Sequence, residues 1–317
     1  MCEADIYDII IIYVKIIFLA SKQAVYQNCP SSYDIINITK GGVDMTEYLK
    51  ALLSERKIDL VSPVSLSESL ITRGYKLDRC GFGKESSLTA LMIAVPYLTP
   101  AENRNISAYA VPRDYHLFYK ELFDDILPRL REKYPEYRFF GFADDSPIDE
   151  RQAAAMAGLG ILGDNGMLIT EKYSSYIFLG EIITDYPVSC QSYPIKRCQG
   201  CGKCKRACPM SELGQCLSAL TQKKGELDEY EKRAILKYGS AWGCDKCQEV
   251  CPHTQRAIEL GTIYTTVDFF RQELVPTIST DILDGMSDTK FKERAYSWRG
   301  RPTVRRNAEL FENQGEL

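Results

Sequence analysis

Twelve cysteines occur in the 317-residue sequence, and eight of them fall in one stretch. The first run reads Cys198-x2-Cys201-x2-Cys204-x3-Cys208-Pro209. A lone Cys216 follows, and then Cys244-x2-Cys247-x3-Cys251-Pro252. Thiolates at this spacing wrap a four-iron cube, and in the doubled bacterial pattern the cysteine before proline serves the other cube. The proline then turns the chain away. The second run lacks one cysteine of the usual four, and Cys216 supplies the missing thiolate. The pattern therefore assigns Cys198, Cys201, Cys204 and Cys251 to one [4Fe-4S] cluster, and Cys208, Cys216, Cys244 and Cys247 to another. The competing chemistry is a pair of zinc sites, because paired CxxC also builds zinc ribbons, but zinc does not favour the x2-x2-x3-Pro run. Cys2, Cys29, Cys80 and Cys190 show no ligand spacing.

The chain is long enough for about two domains. Its 45% hydrophobic and 26% charged residues are those of a globular protein. A net charge of −4 creates no global basic field, so any nucleic-acid contact must come from a local patch. Cysteines gathered as metal ligands point to a reducing, cytoplasmic setting. The apolar run at 6–20 is interrupted by Asp8 and Lys15 and is too short and charged for a membrane span. It lacks the basic start of a signal peptide, so no membrane association is expected. Residues 1–44 read as a foreign or disordered extension. Codons for Lys40-Gly41-Gly42-Val43-Asp44 can spell a ribosome-binding sequence ahead of Met45, which is the expected native start.

From Met45 the pattern becomes regular. Helices are expected at 46–56, 114–133 and 149–157, the last stopped by Gly158. Strands are expected at 58–64, 88–97, 139–142, 166–169 and 176–183. The apolar run at 88–97 suits a strand buried on both faces. The expected fold class is α+β. A layered α/β domain at 45–190 is followed by a double-cluster, ferredoxin-like domain at 191–260 and a helical basic tail at 261–317. In the tail, positions 290–306 carry seven Lys/Arg against one Glu, with Tyr296 and Trp298 interleaved. Arg299, Arg301, Arg305 and Arg306 would suit phosphate contact beside base stacking, and a solvated helix packed on the cluster domain would look the same.

Several segments resemble epoxyqueuosine reductases: the cysteine order, CLSALTQKKG at 216–225, GCDKCQEVCP at 243–252, ISAYAVPRDYH at 106–116, ADDSP at 143–147 and AGLGILGDNGMLITEKYSSYIFLGEIITD at 157–185. The similarity covers most of 88–310. It implies a reductase that converts epoxyqueuosine to queuosine at the wobble position of a tRNA anticodon. It also implies two [4Fe-4S] clusters, a base-off cobalamin in the N-terminal domain and an external low-potential electron donor. The segment 65–84 is shorter than is usual in the family, and Gly163-Asp164-Asn165-Gly166 stands where a lysine is usual. A short form without the family's C-terminal helical-repeat portion is expected.

The resemblance also implies residue roles. Asp144 stands where the family places its general acid, which would neutralise the alkoxide left as an epoxide opens. Such an acid needs a raised pKa, from burial or from a like charge such as that of Asp145. Without the resemblance, Asp144 and Asp145 would read as polar turn residues capping the next helix. Asp144, Arg151, Leu168 and Leu179 match corrin-lining positions, with Asn165 in a nearby loop and Tyr115 and His116 close by. For Leu168 and Leu179, plain strand core is the other reading. Gln222 and Lys224 match tRNA contacts. His253 reads as a neighbour of a cluster rather than a ligand. The alternatives are a corrinoid iron–sulfur reductase of a small molecule, or an electron-transfer module with a docking domain.

Overall fold

The computed structural model describes residues 44–83, 87–101, 103–211 and 214–312. Apart from Asp44, the expected extension lies outside the described residues, as do Cys2 and Cys29. Helix α1 (Met45–Ser54) buries Met45, Leu49, Leu52 and Leu53, the one-sided spacing of an amphipathic helix. It leads into β1 (Leu60–Ser65), the short α2 (Gly74–Arg79) and β2 (Thr89–Pro96), every residue of which is buried. Helix α3 (Tyr115–Lys133) begins at Asp114, whose carboxylate accepts the His116 backbone N–H and caps the first turn. Then come β3 (Phe139–Phe142), α4 (Glu150–Met156), β4 (Ile161–Leu162), β5 (Leu168–Ile169) and β6 (Ile177–Thr184).

Strands β1, β2, β6 and β3 form one sheet in that order, and every pair is antiparallel. Alternation along β2 sends Leu91, Ile93 and Val95 toward α1 and α3, and Ala90 and Met92 toward α4. The sheet thus lies between helical layers, which accounts for a central strand without a polar face. The expected strand at 166–169 shortens to β5. Gly166 adopts φ +80° and donates to the Gly163 carbonyl at 2.9 Å, so its first residues form the turn of the β4–β5 hairpin.

Gly180 on β6 sets how closely α3 approaches the sheet. A Cβ there would lie 2.4 Å from the Tyr119 ring and 3.0 Å from the Phe142 carbonyl oxygen. Gly180→Ala is expected to cost about 1–3 kcal/mol through overpacking and to tilt α3, seen as a lower thermal midpoint.

The cysteine segment adds α5 (Lys203–Ala207), α6 (Leu217–Thr221), α7 (Glu229–Tyr238), α8 (Lys246–Glu249) and α9 (Pro252–Glu259). The last part carries α10 (Thr280–Gly285), α11 (Asp288–Lys292) and α12 (Arg301–Glu312). Trp242, Tyr296, Phe291 and Val304 share an apolar cluster with Ile106, Ala110 and Val111, so the last part packs against both preceding ones. Among the described residues, no helix is long and apolar enough to cross a membrane.

Candidate active site and metal centres

The cysteines converge as two sets. Cys198, Cys201, Cys204 and Cys251 line one small cavity, together with Gly163, Asp164, Asn165 and His253. Cys251 reaches it from the second run because α8 packs against α5. Burial, then the neighbouring thiols Cys244, Cys216 and Cys208, pushes the Cys247 thiol up to about 11, so the second set also stands together. The 106–116 segment anchors that set. Ser107 donates its backbone N–H to the Trp242 carbonyl at 2.7 Å, and the Asp245 carboxylate accepts the Ala108 N–H at 2.7 Å and the Ser107 hydroxyl. Asp245, buried between two cysteines, was not singled out from the sequence, where it reads as one more polar residue among ligands.

The loop after β3 carries Asp144 at φ +63°, a conformation sparsely populated by residues other than glycine. Such an outlier is held by its surroundings and marks a candidate functional position. His116 Nε2 lies 3.5 Å from the Asp144 carboxylate, and its Nδ1 lies 2.8 Å from Asp114. Tyr115 stacks on Phe178 with ring centroids 4.3 Å apart, and its hydroxyl faces Asp144. The structure therefore brings Asp144, Tyr115 and His116 together.

The expected source of a raised Asp144 pKa is corrected. Asp145 turns away to Arg73 and Lys76, and the Asp144 side chain is 68% exposed. The His116 hydrogen bond holds the Asp144 carboxyl below its usual range, despite some opposing desolvation. Asp114, then Asp144, pushes His116 up to about 9, so at neutral pH the imidazolium carries the proton. Beside this loop, two carboxyls the sequence reading missed do rise: Glu150, to about 7, and Glu181 on β6, both chiefly through burial. A lone Glu inside the apolar FLGEII run was the available signal, since charges are seldom fully buried without a partner or role.

Helix α4, bonded to this loop through Glu150, carries Arg151 toward the cysteines. Its guanidinium donates to the Gly166 carbonyl at 2.9 Å, Asn165 Oδ1 accepts the Met167 N–H at 3.2 Å, and the Asp164 N–H points at Cys198 Sγ from 3.3 Å. Asn165 lines the first cysteine cavity. Leu168 is only 3% exposed and packs in the core on the α4 side of the sheet, whereas Leu179 is half-buried at its edge.

Three of the four arginines expected to contact phosphate also hold partners within the chain. Arg301 donates to the Met286 carbonyl at 2.9 Å and to that of Leu283. Arg305 pairs with Glu309 at 2.9 Å and with Asp284, and Arg306 donates to the Lys223 carbonyl at 2.8 Å and to that of Gly225. Arg299 stacks on the exposed Trp298, 3.7 Å from the ring centroid. Apart from Glu309, four residues on in the same helix, these partners come from other segments, so local charge density could not reveal them. Arg306 instead holds the turn that presents Lys224, which is exposed, and Gln222, half-buried and bonded to Ser218 at 3.1 Å.

An α/β layer joined to two four-cysteine sets is the layout of a redox protein, and comparison with known proteins makes it specific. The chain is 34% identical over 214 residues to the epoxyqueuosine reductase of Listeria monocytogenes, covering 62% of this chain and 53% of that protein. It is 31% identical over 221 residues to the epoxyqueuosine reductase of Gloeobacter violaceus, covering 64% and 68%. The chain belongs to the epoxyqueuosine reductase family. No family model matches it. A crystal structure of epoxyqueuosine reductase with an epoxyqueuosine-modified tRNA-Tyr stem-loop superposes with a TM-score of 0.63 at 26% identity, over 84% of this chain and 81% of the other. The match spans about half the length of the Listeria relative.

Proposed function

We propose that this chain reduces the epoxide of epoxyqueuosine in a tRNA anticodon stem-loop, giving queuosine, in a cytoplasmic setting. The observation that carries this is the continuous series from Asp144 through Arg151 and the 163–166 turn to the cavity ringed by Cys198, Cys201, Cys204 and Cys251. Cysteine chemistry favours two [4Fe-4S] clusters in the two sets assigned above. A base-off cobalamin would be held by residues 45–190, near Arg151, Asn165, Leu179, Tyr115 and His116. Leu168, with its side chain in the core, would contribute only backbone. When bound, these groups supply two electrons drawn from an external low-potential donor.

The chain's own residues govern protons and position. Two electrons and two protons convert the epoxide to a carbon–carbon double bond and water. As a carbon–oxygen bond breaks, the oxygen needs a proton. The His116–Asp144 couple holds one beside the reacting face, with Asp144 as the exposed end and His116 as the reservoir. Tyr115 orients the couple by stacking.

The test is anaerobic incubation of reduced, cobalamin-supplemented protein with an epoxyqueuosine stem-loop at low salt, with queuosine read by mass spectrometry. Reduction of cobalamin without consumption of the stem-loop would instead favour a small-molecule substrate. Lys224→Ala is expected to weaken stem-loop binding several-fold and to reduce the salt slope by about one. Arg301→Ala is expected to lower the thermal midpoint rather than the salt slope.

A further inference from the structure

Strand β6 carries one charged side chain, Glu181, and it is fully buried. Alternation places it on the α4 side of the sheet with Leu179 and Ile183, opposite to Gly180. One of its oxygens accepts the Ser146 hydroxyl; the other, Oε2, is buried with no hydrogen-bond donor. The Glu181 carboxyl interacts with Glu150, the first residue of α4, whose own Oε1 accepts the Asp144 backbone N–H at 3.2 Å. Two ionised carboxylates offer each other only acceptors, so the orphaned oxygen is satisfied when a proton stands between them.

We propose that Glu150 and Glu181 retain at least one shared proton at neutral pH and together clamp the 144–146 loop, Glu150 at the Asp144 N–H and Glu181 at the Ser146 hydroxyl. They are positioning residues for Asp144. Their role in turnover rests on the proposed function, whereas the shared proton does not.

The groups facing the pair are Asp144 and Ser146 from the loop and Arg73 from the segment before α2, while Tyr119 of α3 acts on it electrostatically from the other side of the sheet. Arg73, the nearby cation, is engaged by Asp145. Burial raises both carboxyls, Glu150 to about 7 from 4.5, with the Asp144 charge adding to the rise at Glu150 and the Glu150 charge adding to it at Glu181. The folded state therefore binds these protons more tightly than the unfolded chain. The stabilisation is complete below about 4.5 and is lost as pH rises through about 7 and beyond. When the last proton leaves, two like charges face each other in a dry site and the loop loses its hold.

Infrared spectroscopy of the cluster-loaded full chain, with carbon-13 glutamate to assign the band, should show a protonated-carboxyl carbonyl at neutral pH. That band should vanish in both Glu150→Gln and Glu181→Gln, because an amide donates permanently to the remaining carboxylate. In the same variants the fall of the thermal midpoint across neutral and mildly alkaline pH should flatten, and the alkaline decline in turnover should move to higher pH. No protonated-carboxyl band in the wild-type protein, or a band surviving both substitutions, would overturn the shared proton, and the wild-type spectrum suffices if a variant fails to fold. Unchanged pH profiles in both variants would overturn the clamp. Infrared and unfolding measurements need no substrate, so their failure is separate from that of the epoxide reading, which full turnover by Asp144→Asn would challenge alone.

Discussion

Asp144→Asn is expected to lower epoxide turnover by about two to four orders of magnitude, the range typical of a lost general acid, while iron content stays unchanged. Asp144 does not line the cavity of the first cysteine set, and its side chain is largely exposed, so its loss is expected to leave the cysteine sets intact. The amide keeps the shape and the loop's backbone hydrogen bond to Glu150 but cannot pass a proton. It also removes the carboxylate that helps hold the imidazolium of His116. The sign of the pH effect follows. His116 binds its proton more tightly in the folded protein, so the ion pair's contribution is fully present below about 6.5 and is lost as pH rises through about 9. Its exposure means that solvent screens the pair and keeps the stability effect small. Turnover limited by this couple should decline on the alkaline side with an apparent pKa that falls in Asp144→Asn. Retained turnover, or loss of iron along with activity, would remove Asp144 from the chemistry.

The second large effect concerns the division of cysteines between centres. Anaerobically prepared protein is expected to hold about eight irons, four for each cube. Cys216→Ala and Cys251→Ala should each reduce this to about four, but at different centres. Cys216 belongs with Cys208, Cys244 and Cys247, whereas Cys251 closes the cavity of Cys198, Cys201 and Cys204, although it lies in the second run. Paramagnetic resonance of the reduced variants should therefore show different surviving signals, and the double variant should lose both. Identical residual spectra, or stoichiometric zinc, would break the partition.

The cysteine arrangement was legible before any coordinates because the ligands of a small cube are close in sequence and their spacing is a local constraint. The crossing of Cys251 to the first set was expected on other grounds, the doubled pattern in which the cysteine before proline serves the other cube. Most strands and helices of the sheet domain were also readable, since burial on one face or both leaves a periodic trace. Strand direction left no such trace: β2 reads as a doubly buried strand whether its neighbours run parallel or antiparallel, and only the ladder resolves it.

Three matters were decided by tertiary structure alone. Asp145 stands next to Asp144 in sequence, yet its charge is spent on Arg73 and Lys76, while His116, 28 positions away by the residue numbers, governs the Asp144 carboxyl. Arg301, Arg305 and Arg306 read as solvated charges when counted along the chain, but each also bonds a carbonyl or carboxylate from another segment. Glu150 and Glu181 carry no motif as a pair, because a strand and a helix meet there across the sheet. Sequence determines which chemical groups exist and what they form with near neighbours. Whether a charge is solvated, paired or forced to keep its proton depends on groups that only the folded chain brings within a few ångströms, where the lower dielectric magnifies their interaction.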